Sequence, residues 1–72
     1  MNNTRNEEIL KRIGQNLRRI RQEKNMSQQE LANTADIELS QVHRIETAKI
    51  NPTVTTIVLL AEALGVRAGE FF

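Results

Sequence analysis

Apolar side chains return every three or four positions along most of this chain, and over no useful length do they alternate with polar ones. Ile9, Ile13, Leu17 and Ile20, at spacings of four, four and three, draw one apolar stripe along a helix predicted from about Asn6 to Lys24. Ser27 with Glu30 three residues later has the form of a capping box, in which each side chain satisfies an orphan backbone N–H at a helix start. A second helix follows over about 28–34, with Leu31, Ala32 and Ala35 turned inward. Asp36, a residue type that tolerates the left-handed conformation, stops it. The pattern predicts a third helix over about 38–47, with Val42 and Ile45 inward. Pro52 then denies Asn51 the helical state, and Thr53 is placed to cap a fourth helix over about 54–64, the most apolar of the set. Gly65 ends that helix, and the tail VRAGEFF has room for one last turn. The expected class is all-α.

Length narrows this to a single domain spanning 1–72, with residues 1–5 expected as a disordered arm. A chain of 72 residues buries only about 60% of its unfolded surface, so stability is marginal. With no cysteine and one histidine, neither disulfides nor a zinc site can staple it, and the core must be apolar. The absence of a signal-peptide pattern and of any run of about 18 apolar residues leads to the expectation of a soluble, cytoplasmic protein.

Charge adds little in total and more in its distribution. The net charge is +1, but residues 5–24 hold seven Lys/Arg against three Glu, and residues 25–72 hold three against six Asp/Glu. A basic helix alone reads first as a solvated face. Catalysis finds no support: there is no Ser-His-Asp set with a cleft, no cysteine nucleophile, no glycine-rich phosphate loop and no carboxylate pair with a pocket. The expectation is no enzyme, no cofactor and no metal.

Two short helices separated by three or four residues can do what one long helix cannot: the first braces, and the second is held out to enter a DNA major groove. Stepping about 100° per residue from Val42, Ser40 and Arg44 fall opposite the core, His43 and Thr47 lie beside them, and Leu39 and Gln41 flank. That face carries hydrogen-bonding groups and one guanidinium.

The run MSQQELANTADIELSQVHRIETAKINPTVTTIVLLAEALGV resembles the Xre or Cro/C1-type helix-turn-helix of phage repressors, restriction-modification controllers and small bacterial regulators. The resemblance covers about residues 9–72, and rests on SQQELA, a turn, VHRIE, then NPT and AEALGV in that order and spacing. It implies a compact five-helix, lambda-repressor-like domain that binds operator DNA as a homodimer. By the same resemblance, Leu39, Ser40 and Arg44 match base-facing positions, and Gln28 matches a glutamine that touches a phosphate and braces the recognition helix. Lys49 and Thr53 match backbone-contacting positions. Apart from the resemblance, Gln41 is expected on a phosphate from its flank of the helix face, and His43 is read as solvated or phosphate-facing rather than as a base reader. Arg21 and Glu46 match an ion pair joining the first helix to the third.

Three residues depart from the family pattern. Asp36 and Ala48 stand where glycine is usual, and Glu38 stands where Ser or Thr usually caps the recognition helix. Plainer readings stand beside several assignments: Leu39 as core rather than a thymine-methyl contact, Ser40 and Arg44 as solvated, Gln28 and Lys49 as ordinary surface. Phe71 and Phe72, the only aromatics, cannot both enter one small core, so one is expected inside and the other at a dimer interface. The favoured reading is a sequence-specific transcriptional regulator on double-stranded DNA. The alternative is an antitoxin-like or adaptor module whose main partner is another protein, a toxin or polymerase; a purely structural helical dimer is a third.

Overall fold

The computed structural model describes residues 4–72. It contains four α-helices, α1 (Thr4–Glu23), α2 (Gln28–Ala35), α3 (Leu39–Glu46) and α4 (Val54–Leu64), closed by a 3-10 turn, Ala68–Phe71. No strand occurs among the described residues. The all-α class is as expected, but the five-helix count is not reached: the fifth element is only a short 3-10 turn. Gly65 and Gly69 weaken helix in this tail, and the turn is held by its aromatic residue rather than by length. Phe71 is fully buried, and its carbonyl accepts a hydrogen bond from Asn16 Nδ2 of α1 at 2.9 Å. Of the two phenylalanines, Phe71 is the one that enters the core, whereas Phe72 is 58% exposed.

The start of the chain departs from expectation. Thr4 and Arg5, expected in a disordered arm, are the first residues of α1, where Glu7 in the opening turn favours the positive end of the helix dipole. The rest of the expected arm, residues 1–3, lies outside the described residues.

The core forms where the four stripes meet. Ile13, Leu17 and Ile20 of α1 pack with Leu31, Ala32 and Ala35 of α2, Val42 and Ile45 of α3, and Ile57, Leu60, Ala61 and Leu64 of α4. Met26 and Ile37 fill the edges of this cluster. Local chemistry sets the breaks between elements. Ser27 and Glu30 make the reciprocal capping box at 3.0 and 2.8 Å, and Thr53 accepts from the Thr56 N–H at 3.1 Å to start α4. Gly65 closes α4 at φ 70°, in the left-handed region.

Candidate nucleic-acid interface

Asp36 turns the chain between α2 and α3. It adopts φ 59°, ψ 46°, and the Ile37 N–H closes the end of α2 by donating to the Ala32 carbonyl at 3.0 Å. Residues 36–38 are then all that separates the helices. At the far end of α3, Ala48 takes the left-handed conformation itself, at φ 60°, and the Lys49 N–H donates to the Arg44 carbonyl at 2.8 Å. A non-glycine residue there carries strain that glycine would not.

Behind α3, α1 supplies two anchors. The first was not legible as a site residue: a Cβ built on Gly14 would lie 2.5 Å from the Ile45 carbonyl oxygen and 2.7 Å from that of Glu46. The two helices can approach this closely only because the position has no side chain. The available signal was an isolated glycine inside a strong helical pattern, which points to close packing without naming the neighbour.

The second anchor is the Arg21–Glu46 pair. Arg21 Nε donates to Glu46 Oε2 at 2.6 Å and a terminal nitrogen, Nη2, donates to Oε1 at 3.0 Å, a two-pronged contact that is almost wholly buried. Arg21 Nη1 also donates to the Met26 carbonyl at 2.7 Å, and Gln28 Nε2 donates to Glu46 Oε1 at 3.0 Å. The hydrogen bond to Glu46 raises the Arg21 pKa above its ordinary value; burial opposes this, and the Coulombic attraction of Glu46 adds to it. One carboxylate therefore ties the C-terminal ends of α1 and α3 to the start of α2.

With its inner face fixed, α3 presents Leu39, Ser40, His43 and Arg44 to solvent. Leu39 is 41% exposed, so it does not extend the core. Gln41 is half-buried and drawn away from this face: its Nε2 donates to Thr56 Oγ1 at 3.3 Å, and Thr53 Oγ1 lies 3.1 Å from the same hydroxyl. This small network joins α3 to the start of α4, and Thr56, its buried centre, carried no periodic signal. Thr47 turns its hydroxyl back onto the His43 carbonyl at 2.8 Å. Lys49 and Thr53 flank α3 on the exposed linker.

A separate feature lies along the N-terminal half of α1. Ile9, Leu10 and Ile13 face Val54, Ile57 and Val58 of α4 across an apolar groove of about 520 Å³, closed by Pro52 and Phe72. Val54 at its lip is 80% exposed. Among the described residues no group of His, Asp and Glu could hold a metal ion, and no helix is long and apolar enough to cross a membrane.

Residues 17–71 match the model of a helix-turn-helix family. An uncharacterized HTH-type transcriptional regulator of Sinorhizobium fredii is 36% identical over 59 residues, covering 82% of this chain and 77% of that protein. The immunity repressor protein of Bacillus phage phi105 is 34% identical over 55 residues; the match covers 76% of this chain but 38% of the repressor. Among solved structures, the restriction-modification controller protein C.AhdI of Aeromonas hydrophila superposes with a TM-score of 0.86 at 35% identity, covering 88% of this chain and 96% of the controller.

Proposed function

This chain belongs to the Xre, Cro/C1-type helix-turn-helix family of DNA-binding transcriptional regulators, and from that premise we propose that it reads a palindromic operator as a homodimer, with α3 in the major groove. The observation that carries the reading is the polar outer face of α3, held at a set height above the core by the Gly14 contact and by the Arg21–Glu46–Gln28 brace. Arg44 is the principal reader, because an outward guanidinium can donate two bonds to guanine O6 and N7. Leu39 and Ser40 share the base edges. Gln28, His43, Lys49 and Thr53 lie against phosphates, Gln28 with an amide that already serves the fold, while Gln41, expected there too, is turned to Thr56 and braces α3 instead.

The dimer contact is the groove beside α4, occupied by a second copy of this chain. A two-fold interface must offer both the protrusion and the hollow, and Phe72 and Val54 stand exposed at the rim of the groove they would fill. Two recognition helices related in this way read half-sites roughly 34 Å apart.

Selection of binding sites from random duplex DNA at physiological salt tests the whole reading. An enriched two-fold motif supports it. Recovery of no motif, with weak and salt-sensitive retention only, sinks it in favour of the protein-partner module. Arg44→Ala should then lose about 1–3 kcal/mol on the selected site and relax one base pair, whereas Lys49→Ala should weaken all sequences alike and lower the salt slope by about one.

A further inference from the structure

The three helices α2, α3 and α4 begin differently. Ser27 and Thr53 each turn an oxygen onto the backbone N–H three residues on, at 3.0 and 3.1 Å. Glu38, at the equivalent position of α3, has the extended backbone a cap needs, φ −72° and ψ 143°, and its carbonyl accepts from the Gln41 and Val42 N–H groups at 3.0 and 3.3 Å. Its carboxylate caps nothing. Gln41, which could reach back to the Glu38 N–H in a capping box, is held by Thr56 instead. Among the described residues the Glu38 carboxylate has neither a hydrogen-bond nor an ion-pair partner, and it is exposed at the head of the helix that presents Leu39 and Ser40.

We propose that Glu38 is a specificity-determining residue that reads the amino group of a cytosine at the edge of each half-site. This rests on the DNA-binding reading above. An ionised carboxylate only accepts hydrogen bonds, and phosphates repel it. In the major groove, guanine and thymine offer it further acceptors, whereas cytosine N4 and adenine N6 offer donors. Adenine sets its N7 acceptor beside N6, which opposes the charge; cytosine carries only a C–H beside N4. An acidic residue at this point therefore favours cytosine and discriminates against the other three bases. The same residue type is a poor helix cap, so reading and capping are in conflict at this one position.

The test is site selection from random duplexes with the wild-type chain, Glu38→Gln and Glu38→Ser, together with thermal unfolding of each. The expected result is one position per half-site at which the wild type prefers cytosine. Glu38→Ser should reduce that preference about 5- to 10-fold. Glu38→Gln should move it toward adenine, whose N6 and N7 an amide can engage together. Glu38→Ser should also unfold roughly 4–8 °C higher because its cap is restored, so loss of the preference cannot be loss of fold. Identical motifs from all three chains, with affinity rising alike on every duplex in the two neutral variants, would overturn the proposal and leave a carboxylate that merely repels phosphate. A wild type that selects no motif removes the DNA-reading premise and the inference with it.

Discussion

The two halves of α1 meet the rest of the molecule in opposite ways. Its C-terminal half is locked: Gly14 lets the α3 backbone come into contact, and Arg21 meets Glu46 through two hydrogen bonds at 2.6 and 3.0 Å. Its N-terminal half overhangs an open apolar groove, with Ile9 and Leu10 half-buried and Val54 and Phe72 exposed across from them. Among the described residues, no side-chain nitrogen or oxygen that is fully buried lacks a hydrogen-bond partner. The difference teaches that close polar and backbone contacts are concentrated where α3 is held, while open apolar surface is left at the groove proposed as the dimer contact.

Four changes would break or sharpen this contrast. The largest effect belongs to Glu46→Ala, which strands the Arg21 guanidinium and the Gln28 amide together; a loss of about 3–5 kcal/mol is expected, measured by denaturant unfolding. For a chain whose total stability is of the order of 0.05–0.15 kcal/mol per residue, this approaches complete unfolding. An unfolding midpoint close to wild type would mean that the pair is replaceable by water.

Next comes Gly14→Ala. The helix-propensity gain of about 1 kcal/mol opposes a clash with two backbone carbonyls that no rotamer can relieve. A net loss of roughly 2 kcal/mol is expected, with weaker DNA binding as α3 is pushed outward; unaltered stability would show that the two helices can separate freely.

Val54→Glu addresses the open half. Monomer stability should change by about 0.5 kcal/mol or less, as for other surface substitutions, while self-association measured by sedimentation should fall at least about 10-fold through desolvated like charges across the two-fold axis. Unchanged association would move the dimer contact elsewhere.

The smallest expected effect is a gain. Ala48→Gly relieves a left-handed alanine at φ 60° and should stabilise by about 0.5–1 kcal/mol, after the added freedom of the unfolded glycine is deducted. A thermal midpoint that drops would mean that the strain at the end of α3 is negligible.

Much of this molecule was legible from its residues in order. Periodicity located four helices to within about two residues, and Ser27, Thr53 and Gly65 marked their ends, because capping and amphipathicity are local or nearly so. The outward face of α3 followed from helix geometry alone. Leu39 did not resolve, since its position at the border of the stripe fitted core and surface equally until packing left it 41% exposed.

Tertiary structure decided the rest, for a common reason: each such fact depends on residues distant in the chain. Whether Phe71 or Phe72 enters the core is set by the space between α1 and α4 and by the Asn16 amide, fifty-five residues away, that holds the Phe71 carbonyl. Gly14 is one helical residue among twenty until Ile45 and Glu46 are placed against it. Gln41 looked like an exposed flank residue until Thr56, on another helix, drew its amide inward. Local sequence could place the helices and their caps because hydrogen bonds within a few residues settle them; only packing could say which side chains those helices leave free.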